Sequence, residues 1–372
     1  MTLRAYKFRF YPTSEQVEML AQTFGCVRFV YNYALNFANT QYQLGVKTKY
    51  QDWSAELTQL KKQSEYEWLK LVSSVPLQQA LRHLDKAFSS FFKGISARPT
   101  FKSKRHKQSA CFMANAFQWT PETKQFVLAK MKTPLNIKWS RDFNGTPSSA
   151  YISKTGTGKY FISILVEETI TQLKPVSKTV GIDLGLKNWL VCSDGVVVQN
   201  PKTLPRYEKK LAKAQRLFSR KKKGSNNHKK AKLKIALLHE KIANIRADLT
   251  HKTTFRLIQE NQLICMETLR VKNMVKNPKL AKHILDANLG ELNRQLAYKA
   301  DWYGRTISKI DQWFPSSKLC SHCGALYEGK WSLAIREWRC SCGAVNDRDS
   351  NASINIETEG LRLYAETQRK AA

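Results

Sequence analysis

Polar and apolar positions alternate from residue 2 to 11, with Tyr6, Phe8 and Phe10 on one face and Lys7 and Arg9 on the other, which predicts a half-buried strand. Pro12 ends it. Thr13-Ser14-Glu15-Gln16 then offers a capping box, and Val17, Leu20, Ala21 and Phe24 recur at helical spacing until Gly25, where the helix is expected to stop. A second helix is predicted over about 26–43 on Phe29, Val30, Tyr33 and Phe37, and two more near 53–63 and 76–92. The last has Pro76 in its first turn and a stripe of Leu77, Ala80, Leu81, Leu84, Phe88 and Phe91. Beyond a basic loop at 98–107, short alternating runs at 126–128, 135–137, 150–152 and 160–166 predict a small β-barrel or sheet. The first strand would join it, making the helical module an insertion.

The second half begins with a Lys- and Pro-bearing linker at 174–178. Val180-Gly181-Ile182-Asp183-Leu184-Gly185 follows as a strand carrying an aspartate, then a hairpin turning at Asp194-Gly195. Residues 206–234 hold thirteen Lys or Arg and one acid, Glu208. Leu211, Leu217 and Phe218 keep helical spacing through this run, which breaks at Arg220-Lys221-Lys222-Lys223-Gly224. A basic helical hairpin fits better than a disordered tail. Residues 263–267 read as a buried strand ending in Glu267, 288–303 as a helix and 306–310 as a strand. The last helix is expected to begin near Asp349 and to carry Ala352, Ile354 and Ile356 on its apolar side.

Charge narrows the choice of partner. The formal net charge is +33, from 62 Lys and Arg against 29 Asp and Glu in 372 residues. Such an excess repels itself in a folded chain and points to a polyanion, nucleic acid before an anionic membrane. Beside the 206–234 run, Arg98, Lys102, Lys104 and Arg105 are candidates to line a nucleic-acid channel, together with Arg220, Lys221, Lys222 and Lys223. No stretch reaches the ~18 apolar residues of a membrane span, and residues 1–7 lack an apolar signal core, so a cytosolic (cytoplasmic) protein without membrane contact is expected.

Cysteine spacing singles out 311–356. Cys320-x2-Cys323 and Cys340-x-Cys342 stand sixteen residues apart, each pair followed by a glycine where the chain must turn. Two such turns can aim four thiolates at one structural Zn²⁺; two disulfides or four unrelated core thiols are the alternatives. Cys26, Cys111, Cys192 and Cys265 sit singly in apolar settings and read as reduced core thiols.

Asp183, Glu267 and Asp349 each lie in a segment that otherwise reads as core. An unpaired buried carboxylate costs several kcal/mol, so three of them are best explained by a shared cation. Hard oxygen donors favour Mg²⁺ or Mn²⁺. Two ions about 3.5–4 Å apart could clamp a phosphodiester, with Asp183 bridging both and Glu267 and Asp349 each holding one. Pairing with the abundant Lys and Arg is the competing explanation. Asp347 competes with Asp349, but Asp349 directly precedes the helix, leaving Asp347 as a cap or a partner of Arg348.

Gly181-Ile182-Asp183-Leu184-Gly185, Met266-Glu267 and Asp347-Arg348-Asp349-Ser350-Asn351-Ala352, in this order, resemble the motifs of a RuvC-type nuclease. With the four cysteines before the last motif, and with Phe314-Pro315-Ser316-Ser317-Lys318-x-Cys320 and Arg28-Phe29-Val30-Tyr31-Asn32, the chain resembles the TnpB (OrfB) family of bacterial insertion sequences. The resemblance implies an α/β multidomain protein. A β-barrel domain (1–12 and 110–173) would carry an inserted helical bundle (13–109), followed by an RNase H-like (RuvC) nuclease domain (174–372) with a zinc-binding insertion (314–346). It further implies a metal-dependent endonuclease, relative of type V CRISPR effectors, that takes a guide RNA from the transposon end and cuts matching double-stranded DNA beside a short target-adjacent motif. A separate transposase would act on the same element. Asp183, Glu267 and Asp349 match the family's catalytic acids, and Tyr50, Ser74 and Gln78 its motif-reading positions. An unguided RuvC-type nuclease or transposase, and a guided binder that does not cut, are the alternatives. The chain departs from the family at Cys340-Ser341-Cys342, one residue short, and at Asn346, where His is common.

Overall fold

Tyr6, Phe8 and Phe10 all turn inward from β1 (Thr2–Phe10), the strand on which the first half of the chain is built. The computed structural model describes residues 2–105, 107–332 and 334–371. Two compact units emerge, Met1–Thr169 and Ile170–Ala372.

In the first unit β1 pairs antiparallel along its whole length with β7 (Tyr160–Glu168), Thr2 opposite Glu168 and Phe10 opposite Tyr160. Adding β2 (Gln108–Met113), β5 (Ile137–Lys138) and β6 (Pro147–Lys154) gives a five-stranded sheet in the order β2-β6-β7-β1-β5. Phe126 and Leu128, from the hairpin of β3 (Phe117–Thr120) and β4 (Gln125–Leu128), complete its core. Of the barrel or sheet that the alternation allowed, the described residues form a sheet with β2 and β5 at its edges, so the β-barrel expected for this domain is not seen as a closed one.

The helices inserted between β1 and β2 differ from expectation at one place. α1 runs unbroken from Ser14 to Gln43, straight through Gly25. The expected capping box is there: Gln16 N–H donates to Thr13 Oγ1 at 3.3 Å and Thr13 N–H to Gln16 Oε1 at 3.1 Å. Gly25 takes no left-handed backbone, and its roughly 1 kcal/mol helix penalty is outweighed by buried Leu20 and Phe24 before it and Val30 and Leu35 after it. α2 (Tyr50–Leu60), a 3₁₀ segment at Ser64–Lys70 and α3 (Ser74–Phe92) close a second core around Leu60, Leu69, Leu77, Leu81 and Leu84.

In the second unit β8 (Thr179–Leu184) is central. It pairs antiparallel with β9 (Asn188–Cys192) and parallel with β11 (Leu263–Glu267), giving the order β10-β9-β8-β11-β12 with β10 (Val197–Gln199) and β12 (Thr306–Ile310) at the edges. Alternation sorts the faces. Val180, Ile182, Ile264 and Met266 point to one side, where α5 (Asn226–Glu260) and α8 (Leu289–Tyr303) supply Leu257, Ile258, Leu292 and Leu296. Leu263 and Cys265 point to the other, onto Ile356 of α9 (Arg348–Ala371). Asn351, Ala352, Ser353, Asn355, Ile356 and Gly360 are buried along α9. Ile354, expected on that stripe, faces solvent at 38% exposure because it lies on the opposite side of the helix.

α4 (Thr203–Ser219) and α5 form the basic hairpin. Its base is fixed by Asp286 at the end of α7 (Pro278–Ala287), which accepts from Leu204 N–H at 2.9 Å and from Arg246 Nε at 2.9 Å. α6 (Val271–Met274) bridges β11 and α7. Between β12 and α9, the strands β13 (Glu337–Arg339) and β14 (Val345–Asp347) form an antiparallel pair. Among the described residues no helix is long and apolar enough to cross a membrane.

Candidate active site

Strand parity decides which side chains can meet. Asp183 lies two residues after Gly181, and Glu267 two after Cys265, so both carboxylates end on the α9 face of the sheet. β8 and β11 run parallel with Met266 opposite Ile182, which makes Glu267 and Asp183 next neighbours across the ladder. Asp349 arrives in the first turn of α9, and Gly181 sets how close that helix comes. A Cβ at Gly181 would lie 2.0 Å from the Ser353 carbonyl oxygen and 2.6 Å from the Glu357 nitrogen. Gly360, further along α9, meets Cys265 in the same way, with its would-be Cβ 2.4 Å from Sγ. The two glycines let the helix lie directly on the strands.

The crowding shows in the Asp183 carboxyl, pushed up to about 7 by burial first and then by the charges of Glu267 and Asp349, with Arg348 pulling the other way. Glu267 accepts from Ser316 Oγ at 2.7 Å. Asp349 Oδ1 accepts from Arg348 Nε at 3.1 Å and Nη2 at 3.0 Å, and stands 3.4 Å from Arg336 Nη1. Asp347 is exposed and caps α9, accepting from Ser350 N–H at 2.9 Å. Arg348 pairs with Asp349. Ser316 and Arg348 stood in the sequence only as motif members, Arg348 as a possible partner of Asp347, and Arg336 was not singled out; a common Ser or Arg carries no signal of its own until the fold brings it to a carboxylate.

The four cysteine sulfurs all lie within 4.8 Å of one another. Cys320 to Cys342 measures 3.8 Å and Cys323 to Cys340 3.5 Å. An ion with Zn–S bonds of about 2.3 Å needs tetrahedral edges of about 3.8 Å, so the donor set fits a structural Zn²⁺. Each pair sits in a tight turn. Gly324 N–H donates to the Cys320 carbonyl and Gly343 N–H to the Cys340 carbonyl, and both glycines take positive φ, 76° and 90°. The shortened Cys340-Ser341-Cys342 pair therefore still closes. Asn346 stands 3.6 Å from Cys320 Sγ through Nδ2. Burial raises the Cys320 thiol, but N–H groups of Cys323 and His322 and the Asn346 amide outweigh it and bring it down to about 6. Among the described residues the four thiols are the only group of three or more His, Cys, Asp or Glu donors placed to hold a metal ion. Cys26, Cys111, Cys192 and Cys265 are buried free thiols.

The cysteine knuckle and the carboxylates are mechanically joined. Asn351 Nδ2 donates to the Leu319 carbonyl at 2.7 Å, its Oδ1 accepts from Ser321 N–H at 2.9 Å, and Asn355 Nδ2 donates to the Ser316 and Leu319 carbonyls at 2.8 and 2.6 Å. The segment entering the first cysteine pair is thus clamped to α9, one turn from Asp349.

In the first unit Ser74 and Gln78 are exposed at i and i+4 on α3. Arg82, four residues on, places its guanidinium over the ring of Tyr50, the first residue of α2, at 4.7 Å. Arg98, Lys104 and Arg105 are exposed and Lys102 half-buried; Lys102 Nζ lies 3.5 Å above the Tyr31 ring, while Asn32 exchanges hydrogen bonds with the Lys102 backbone at 2.8 and 2.9 Å. In the second unit Arg220, Lys221, Lys222 and Lys223 form the exposed tip of the α4–α5 hairpin. Below that tip a groove of about 750 Å³ is lined by Lys210, Lys213, Lys230, Lys234 and Lys241 as well as Lys221.

Comparison with known proteins settles the family. The chain is 48% identical over 367 residues to a Streptomyces pristinaespiralis protein named "Putative RNA-guided DNA endonuclease", covering 97% of this chain and 90% of that one. It is 34% identical over 381 residues to the Escherichia coli K12 protein "Putative RNA-guided DNA endonuclease InsQ", covering 98% and 94%. This chain belongs to the TnpB family. Family models agree: OrfB_IS605, described as "Probable transposase", matches 162–278, and the Cas12f1-like TNB domain matches 290–356, which spans the cysteine knuckle. A third, a "Helix-turn-helix domain", matches 1–47. In this TnpB-family chain that stretch is a strand followed by one continuous helix. The fold is similar to that of a chain solved as a Cas12f1-sgRNA-target DNA complex, with a TM-score of 0.53, 15% identity and coverage of 96% and 98%.

Proposed function

We propose that this chain is an RNA-guided DNA endonuclease whose phosphodiester hydrolysis is carried out by Asp183, Glu267 and Asp349. The observation that carries the reading is geometric: Asp183 and Glu267 lie at the ends of adjacent parallel strands, on the face where Gly181 seats α9 with Asp349 in its first turn, and burial together with those two acids pushes the Asp183 carboxyl up to about 7. A buried carboxyl on β8 whose proton affinity is raised by acids arriving from β11 and α9 is suited to hold a cation with them. The strand order β10-β9-β8-β11-β12, an antiparallel hairpin followed by parallel strands, supports an RNase H-like (RuvC) assignment of the second unit.

Asp183, Glu267 and Asp349 would hold two Mg²⁺ or Mn²⁺ ions, which when bound supply an activated water and neutralise the leaving oxygen. The chain's own residues set the geometry. Ser316 orients Glu267, Arg348 and Arg336 hold the Asp349 carboxylate, and the cysteine knuckle, with its structural Zn²⁺, keeps Ser316 and Arg336 in register with α9 through Asn351 and Asn355. Guide RNA and target DNA would be held by backbone contacts to the lysine-lined hairpin and the 98–107 loop, with base pairing supplying sequence. Residues 13–109 form the recognition module, and Tyr50, Ser74 and Gln78, joined by Arg82, read the target-adjacent motif. Gln and Arg suit adenine and guanine edges in the major groove.

The test begins by purifying the chain from cells carrying its native locus and sequencing the RNA that accompanies it. With that RNA, wild-type protein should cut a matched duplex and Asp183→Ala should not, while both bind RNA and DNA equally. Cutting by Asp183→Ala near the wild-type rate would sink the assignment; cutting without RNA would favour an unguided nuclease.

A further inference from the structure

Two cavities of the first unit meet at one side chain, Arg98. The first, of about 620 Å³, lies between the C-terminal ends of α1 and α3 and is walled by an aromatic row. Buried Trp53 packs 5.9 Å from Phe88, and Phe88 stacks on Phe92 at 6.2 Å with rings 20° from parallel. Phe92 is 76% exposed at its mouth. Lys47 and Lys49 also line this cavity, with Asp85 its one acid among the described residues. The second, of about 480 Å³, is lined by Arg28, Lys102 and Lys107 and by no carboxylate among the described residues. Arg98 belongs to both, and its Nη2 donates to Asn39 Oδ1 at 2.9 Å, which fixes the guanidinium between them.

We propose that the pair is a single-nucleotide site: a base unstacked from its strand enters the aromatic cavity, and its phosphate lies in the cationic one, with Arg98 at the junction. Flat aromatic walls suit any base face, and a cationic pocket free of acids suits the phosphodiester that must follow it. A base inside a duplex cannot enter, so the ligand is single-stranded: guide RNA or a displaced DNA strand. The charge of the second cavity argues against an apolar peptide as the occupant, since such a segment leaves Arg28, Lys102 and Lys107 uncompensated. This inference rests on the reading of the chain as a nucleic-acid binder.

The experiment is zero-length photocrosslinking of the full chain with short oligomers bearing one 4-thiouridine (RNA) or one 4-thiothymidine (DNA), with the adduct mapped by mass spectrometry. The expected adduct falls on the peptide containing Phe88 and Phe92, and the oligomer that gives it names the source. Phe92→Ala, at an exposed position, should cut that adduct roughly tenfold while leaving adducts on the α4–α5 hairpin unchanged. Arg98→Gln should weaken it and lower its salt dependence by about one phosphate. Adducts confined to the hairpin, or a Phe88–Phe92 adduct indifferent to both variants, would overturn the site, the former leaving the cavity to an apolar segment. Wild type that yields no adduct anywhere and binds neither oligomer would refute the nucleic-acid reading itself.

Discussion

Gly181→Ala tests the packing on which the carboxylate geometry depends. The new Cβ would lie 2.0 Å from the Ser353 carbonyl oxygen, 2.6 Å from the Glu357 nitrogen and 2.8 Å from the Glu357 Cβ. Two of these are backbone atoms of one helix, so no side chain can swing aside and α9 must withdraw from β8 by more than an ångström. Overpacking of this kind costs about 1–3 kcal/mol. Asp349 is one helical turn from Ser353 and moves with it, and a 1 Å misplacement of a reacting group is worth about 10²-fold in rate. Single-turnover cleavage of a matched duplex should therefore fall about a hundredfold, while RNA binding and overall folding persist. Gly360→Ala is the comparison: its Cβ would meet Cys265 Sγ at 2.4 Å, but eleven residues from Asp349. It should lower the melting temperature with a smaller loss of cutting. Gly156→Ala, with nothing within 4 Å of its Cβ, is the neutral control. If Gly181→Ala melts and cuts like wild type, helix position does not govern the site and the packing argument fails.

Gly25→Ala should stabilise the protein by about 1 kcal/mol, since α1 is continuous there and a methyl would meet nothing within 4 Å; thermal melting reads the gain, and a loss would contradict the unbroken helix. Lys299 is held down at about 8 by burial, donating to the His251 carbonyl at 3.0 Å and Thr254 Oγ1 at 2.7 Å. Its neutral form is favoured in the folded state, so stability should rise as pH climbs from about 8 toward 10.5 and be flat with respect to this group below 8, by up to roughly 3 kcal/mol. Lys299→Met should remove that rise in pH-resolved denaturation curves; an identical slope in the two proteins would contradict it. Stripping zinc should unfold 314–346, because such sites contribute on the order of 10–16 kcal/mol. Hydrogen exchange should then show loss of protection across the knuckle and at Asn351, and an unchanged pattern would remove the structural ion from the account.

Short-range features were readable from residue order alone. The capping box at Thr13 and Gln16, the inward face of Tyr6, Phe8 and Phe10, the hairpin break near Arg220 and the close cysteine pairs all depend on neighbours a few positions apart. Gly25 misled because local propensity favours a stop there by only about 1 kcal/mol, and packing against two cores decides otherwise. Ile354 misled because a single position in a short apolar run does not reveal which side of α9 meets the sheet. Tertiary structure alone decided the rest. Parallel pairing of β8 with β11 makes Asp183 and Glu267 neighbours, and Gly181 and Gly360 admit α9 onto the strands. Arg348 and Arg336 meet at Asp349, and Arg98 joins two cavities. Each of these joins residues distant along the chain or turns on which face a helix presents, and that information enters only when a sheet and its helices close around one another.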